Sequence, residues 1–480
     1  MHLSGILLIL IVEEVTAMRR YIFLLAFLLV GCSSNDVDSV IVPDTGQRPA
    51  QLPAQHVPDI ANVVLAPDTV NYMEGNGSVV VAAEIAFEDD GSDVEALWVE
   101  MPDGTTVEYD VIDHSEDQSI TVDFDMSTDK AGMLHVSFWL VDKAGNRSER
   151  WHSSLRIVWN GQVNSWTKRL SNVPYGFWDV VWDGTVFVAV GDDGAILTSS
   201  DGVDWVKKES GVETTLVAVS AFGTDIVAVG NDIVLLSTDH GNSWSVKYRP
   251  VSVGFGAVAL NSSLYVVGGF DFESTTETII ISEDRGETWE VVDEDPNQNF
   301  PINDLAYGNG YFVATTWRST SSGGHVKVSA DGRQWNEILV SEDEEATWFA
   351  MVMHDGDQFA VAGYSGVSMS LDGLNWTQKQ TPLLNFDFLS AATDGSKLIF
   401  AGGFGSMVMG VYDLQSNWPA GIASTDGGST WEFFGIDEGY LSLGMAFGNG
   451  RFVSVGRTLS GGEGGMYFFH NNTGAIYSTN

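Results

Sequence analysis

Two carboxylates, Asp179 and Asp304, are the side chains of this sequence whose type and spacing best suit acid–base chemistry. Each lies near the start of an apolar segment that leads into a recurring Φ-x-Ala/Val-x-Gly strand, as in Trp178-Asp-Val-Val-Trp182 before Val186-Phe-Val-Ala-Val-Gly191. Aligned on those second strands, the repeats put Asp179, Ala218, Gly256, Asp304, Met351, Ser390 and Gly444 at one level. Small side chains suit a crowded channel, and only the first and fourth repeats place a carboxylate there. If the repeats close into a ring, three steps round seven is nearly opposite, so the pair would face each other across an opening. Paired carboxylates are what hydrolysis of a glycosidic bond requires. The same two residues also suit a plainer role as hydrated strand starts. Trp178 and Trp348 are expected to offer ring faces to a sugar, while the other aromatics near these strand starts suit the core.

Other chemistries find no support. The single cysteine, Cys32, leaves no second thiol for an intrachain disulfide, and His240, His325, His354 and His470 show no partnering pattern for a nucleophilic triad. No Gly-rich phosphate loop precedes a helix, and no clustered metal-ligand spacing occurs. Calcium capture would need an Asp-x-Asp-x-Asp-Gly loop with a distal glutamate, which is absent, so no cofactor is expected. The acidic turn residues Glu88, Asp89, Asp90 and Asp142 read first as solvated caps, with carbohydrate or calcium binding as the alternative. A formal net charge of −43 repels phosphate backbones, which argues against nucleic acid as a partner.

The elements that must hold these residues announce themselves by repetition. Six turns share one pattern: Ser199-Ser-Asp201-Gly202-Val-Asp-Trp205, Ser237-Thr-Asp239-His-Gly241-Asn-Ser-Trp244, Ser282-Glu-Asp284-Arg-Gly286-Glu-Thr-Trp289, Ser329-Ala-Asp331-Gly332-Arg-Gln-Trp335, Ser370-Leu-Asp372-Gly373-Leu-Asn-Trp376 and Ser424-Thr-Asp426-Gly-Gly428-Ser-Thr-Trp431. Self-similarity at this period marks a repeat architecture. Around each turn runs an inner strand, a Gly/Asp/Asn turn, the Φ-x-Ala/Val-x-Gly strand, a third strand and a fourth after the tryptophan. Seven second strands accompany six complete turns, and the chain stops at Ala475-Ile-Tyr-Ser478-Thr-Asn480, where a seventh turn would begin. Asn164-Ser165-Trp166 looks like the tail of such a turn. The expectation is that the strand after Trp166 completes a last blade built from the C-terminus, leaving no open edge.

These turns resemble the Asp-box (BNR) repeats of sialidases, sortilin, xyloglucan-type glycosidases and photosystem assembly factors, over roughly residues 160–480. The resemblance implies an all-β seven-bladed β-propeller in which the turn joins the third and fourth strands, away from ligand. Asp201, Asp239, Asp284, Asp331, Asp372 and Asp426 are then structural. A sialidase would further need an arginine triad and a Phe-Arg-Ile-Pro signature. Tyr175-Gly-Phe-Trp-Asp179 stands in that region without an arginine. The expected role is non-enzymatic binding of a glycan or envelope protein, or complex assembly. The alternative is a glycoside hydrolase using Asp179 and Asp304.

The N-terminal part supplies an address and a spacer. Arg19 and Arg20 precede the apolar run Tyr21 to Val30, too short to span a bilayer comfortably, and Leu29-Val30-Gly31-Cys32 resembles a bacterial lipobox. The resemblance implies a signal peptide over 1–31, with Met18 as the true start, and lipidation of Cys32. Ser33 in place of aspartate implies the outer membrane. Residues 32–59 read as a flexible tether. From 60 to 159, short alternating strands between acidic turns predict a β-sandwich, and Leu140-Val-Asp142-Lys-Ala-Gly145-Asn146 resembles the last hairpin of bacterial immunoglobulin-like domains. The protein is expected to be a monomer anchored to a membrane by lipid.

Overall fold

A computed structural model describes residues 57–71, 77–89, 93–102, 104–111, 118–128, 131–158, 166–293, 301–316, 324–341, 349–364, 366–384, 386–406, 411–413, 420–437, 439–461 and 466–479. Cys32, the signal peptide expected over 1–31, residues 32–56 of the expected tether and Trp348 lie outside the described residues. The chain divides into two compact units. One covers 161–381 and 385–480, and the other holds the described residues between 57 and 160 with 382–384. Strands make up both, with no α-helix among the described residues.

The N-terminal unit is built from two sheets. Asp59–Ala66, Ser78–Glu88 and Ser119–Ser127 form one, and Thr69–Asn71, Trp151–Val158, Ala131–Asp142, Val94–Glu100 and Thr106–Asp110 the other, to which the short strand Leu383–Leu384 adds by pairing with Ala131–Asp142. Strand Ser119–Ser127 alternates buried and exposed side chains along its length, as one wet face and one packed face require. Val81, Ile85 and Phe124 from the first sheet share a core with Leu97, Phe138 and Ile157 from the second. Asp89 accepts from the backbone N–H groups of Asp93 and Val94, and Asp142 from those of Ala144 and Asn146. Both therefore serve as turn caps.

The C-terminal unit repeats one antiparallel four-stranded meander. Five such sheets are separate, and the first is Phe177–Trp182, Phe187–Gly191, Ile196–Ser199 and Val206–Lys208. A nine-stranded sheet holds two more meanders, fused where Val411–Asp413 pairs with both Leu398–Ser406 and Met466–Thr479. The last meander is completed by the N-terminal strand Trp166–Val173, which pairs with Met466–Thr479.

Apolar patterning follows from position in the stack. Second strands such as Phe187–Gly191 and Asp225–Gly230 are buried at every residue, because neighbouring sheets cover both faces. Fourth strands such as Val206–Lys208 are largely exposed. Cores lie between consecutive sheets: Val188, Val190 and Ile196 pack with Leu216, Ile226 and Leu235. The first strands pack in sequence order from Phe177–Trp182 through Leu216–Phe222, Val253–Leu260, Ile302–Gly308, Phe349–His354 and Phe386–Thr393 to Tyr440–Gly448. That last strand returns to Phe177–Trp182. Radially stacked four-stranded sheets around their own first strands make this unit a β-propeller.

Candidate functional site

The inner strands all carry a β-bulge near their start, so that position sets the site. Register shifts fall between Phe177/Asp179, Leu216/Ala218, Phe255/Ala257, Ile302/Asp304, Phe349/Met351, Phe388/Ser390 and Ser442/Gly444. The residue just beyond each bulge occupies the expected level, with one correction. Ala257, not Gly256, stands there, because Gly269 rather than Gly268 lies opposite Phe255 and the bulge falls between Phe255 and Ala257. The bulge also explains the recurrent glycine closing the second strand. A Cβ on Gly191 would meet the Gly176 carbonyl oxygen at 2.2 Å, and one on Gly230 the Thr215 carbonyl oxygen at 2.0 Å.

Asp179 and Asp304 have the same environment. Asp179 accepts its own strand's Val180 N–H at 2.7 Å through Oδ1, and the next sheet's Val219 N–H at 2.9 Å through Oδ2. Asp304 accepts from Leu305 at 2.8 Å and from the next sheet's Val352 at 2.8 Å. Each carboxyl thus ties one inner strand to the following one while its residue keeps some accessible surface. Burial pushes Asp179 up to about 8 against the pull of the Val219 N–H, with the charge of Asp304 adding to the rise. Burial raises Asp304 to about 7 despite the Val352 and Leu305 N–H groups. Close packing shapes the wall: a Cβ on Gly444 would lie 2.6 Å from Asp179 Cα.

Trp178 occupies the bulge position itself and is half-buried. Its indole Nε1 donates to Asp192 Oδ1 at 2.8 Å, and the Arg457 guanidinium lies 4.2 Å from its ring centroid. Arg457 Nη2 in turn donates to both Asp192 oxygens at 2.9 Å, and the Gly176 N–H donates to Asp192 at 3.0 Å. Arg457 comes from the last meander, so its guanidinium brings the last sheet against the Trp178 ring. Phe177, Phe255, Phe349, Phe386 and Phe388 are buried core.

The six repeated turns sit elsewhere. Strands alternate direction, so the link between third and fourth strands lies at the end of the sheet opposite the inner-strand start. In each turn the aspartate accepts a serine hydroxyl and backbone N–H groups, as Asp201 does from Ser199, Val203 and Asp204. These bonds hold Asp201, Asp239 and Asp331 below the usual carboxylate range, and Asp284, Asp372 and Asp426 at about 2. The glycines take positive φ, and each of the first five tryptophans packs into the core shared with the preceding sheet. No group of three or more potential metal ligands occurs among the described residues.

Two contacts escaped the sequence reading although their signal was present. Ala306-Tyr-Gly-Asn-Gly310 and Ala446-Phe-Gly-Asn-Gly450 are one motif used twice. Asn309 Nδ2 donates to the carbonyls of Asp357 and Leu371 in the next sheet, and Asn449 Nδ2 to that of Ser200 in the first. Leu371 and Ser200 hold the same place in their turns, so the junction between the last meander and the first repeats an interior one.

No family model matches the chain, and no curated protein matches it. Among solved structures, a GH74 enzyme of Niastella koreensis is similar at 16% identity and a TM-score of 0.42. It aligns with 72% of this chain and 47% of its own, so the chain spans about half its length. The Neurospora crassa Pan2 WD40 domain is similar at 9% identity and a TM-score of 0.43, over 66% of this chain and 97% of that one. The Dos1 propeller matches at 8% identity and a TM-score of 0.38, over 88% and 95%.

Proposed function

We propose that this is a cell-envelope lipoprotein displaying a seven-bladed β-propeller, preceded by an immunoglobulin-like sandwich, to bind a glycan or envelope protein without catalysing a reaction. The observation that carries the non-enzymatic reading is the shared state of Asp179 and Asp304. A glycosidase needs its two carboxyls pushed apart, one held protonated as the acid and one ionised as base or nucleophile. Here burial pushes both upward, and all four oxygens accept backbone N–H groups. They are suited to tying strands together rather than to exchanging protons with a substrate.

Seven blades are supported by the cycle of first strands and by the Asn449–Ser200 contact across the junction. The lipobox-like Leu29-Val30-Gly31-Cys32 supports an N-terminal lipid anchor in a bacterial outer membrane. A reducing-sugar assay of the intact protein over a polysaccharide panel tests the function. No turnover is expected, and turnover abolished by Asp179→Asn would establish the hydrolase reading instead. Palmitate labelling, expected in the wild type and lost in Cys32→Ala, tests the anchor.

A further inference from the structure

The outward face of the six-stranded sheet in the N-terminal unit carries a row of side chains that the core does not use. Leu97, Val99, Phe138 and Leu140 enter the core, so alternation sends the directly paired Trp98 and Trp139 to the other face. Their rings stack with centroids 6.0 Å apart and planes 8° from parallel. The Arg150 guanidinium lies 4.5 Å from the Trp139 ring centroid and is ion-paired with Glu100. Two residues along the same strand, Ser137 Oγ is bonded to His152 Nδ1 at 2.9 Å.

Trp139 is only 5% exposed, yet its indole N–H has no hydrogen-bond partner among the described residues. A buried donor left unsatisfied costs about 1–3 kcal/mol, and such donors in native proteins call for an explanation such as a bound group. The Arg150 side chain, which lies over this ring beside the stacked Trp98, has half its surface exposed and can be displaced by a ligand.

We propose that this sheet face binds a neutral oligosaccharide. The C–H face of a pyranose stacks on an indole, and its hydroxyls both donate and accept hydrogen bonds. A guanidinium, a carboxylate and an unpartnered indole N–H on one face meet both needs. The net charge of −43 disfavours acidic polysaccharides, which leaves uncharged glycans as the class that fits. The proposal rests on the reading of the chain as a binding protein and moves glycan recognition from the propeller mouth to the sandwich.

The test titrates the intact protein with cellohexaose, maltohexaose and mannohexaose by calorimetry, and follows the Trp139 indole N–H by NMR, its signal assigned with Trp139→Phe. At least one hexaose is expected to bind and to move that signal. Trp98→Ala should weaken binding about tenfold or more, and the surface variant Glu100→Gln, which leaves packing intact, about threefold. Trp178→Ala should change nothing. Absence of binding by all three sugars, binding unaffected by Trp98→Ala and Glu100→Gln, or binding lost in Trp178→Ala would overturn the proposal. Turnover dependent on Asp179 would overturn the non-enzymatic reading while leaving this face untouched.

Discussion

Asp179 and Asp304 tie adjacent inner strands, and their protonation makes a prediction about pH. Their folded-state pKa values, about 8 and about 7, stand above the ordinary carboxylate value, so the native state holds protons that the unfolded chain releases. Their stabilising contribution is complete below about pH 4 and is lost as pH rises through 7 to 8. The melting temperature should fall by about 5 °C or more between pH 6 and pH 9. In the Asp179→Asn/Asp304→Asn double variant, which keeps an acceptor at each site, a thermal scan should show a much flatter dependence. The turn aspartates behave in the opposite sense, being held low by their N–H donors. Asp372→Ala should lower the melting temperature by about 2–4 °C, as loss of a cap worth roughly 1 kcal/mol implies, without affecting ligand binding. The turn roles were legible in sequence because an aspartate and the N–H groups it bonds lie within four residues. The contacts of Trp178 are not legible there, because the Arg457 guanidinium over its ring comes from the last meander, far away in the chain.

Inner strands and their bulges decide what faces the shared space. A one-residue slip in a strand sends every following side chain to the other face. Pairing of Phe255 with Gly269 puts Ala257, not Gly256, just beyond the bulge. Close backbone approach matters equally at this scale. Gly444→Ala would drive a Cβ into the backbone of Asp179, at a cost of about 1–3 kcal/mol in urea denaturation. Gly310→Ala offers the contrasting case, since a Cβ there meets nothing within 4 Å and its penalty arises only from the positive φ of 86°. Strand identity itself was plain in the sequence: Φ-x-Ala/Val-x-Gly segments are continuous apolar runs because they are buried on both faces.

For the whole molecule, the question is how the two ends of the repeat array are joined. Trp166–Val173 pairs with the C-terminal strand, with Thr167 opposite Ser478. Arg169 Nε donates to Ser478 Oγ at 2.8 Å, and Lys168 Nζ lies 2.7 Å from Asp437 Oδ2. A Thr167→Cys/Ser478→Cys variant, combined with Cys32→Ala, should form a disulfide on oxidation. Guanidinium unfolding should then show a gain of about 2–4 kcal/mol that disappears on reduction. No gain would mean that these strands are not paired in solution.

Local interactions made much of this protein readable from its residues alone: the turn chemistry, the strand periodicity, the repeat and the closing role expected of the strand after Trp166. Contacts between distant parts of the chain were decided only in three dimensions. The bonds from Asp179 to Val219, from Arg457 to Asp192 and from Asn449 to Ser200 join residues 40, 265 and 249 positions apart. Each depends on how sheets stack and where a bulge shifts the register. No short-range pattern encodes that information, because it arises from packing every sheet against its neighbours at once.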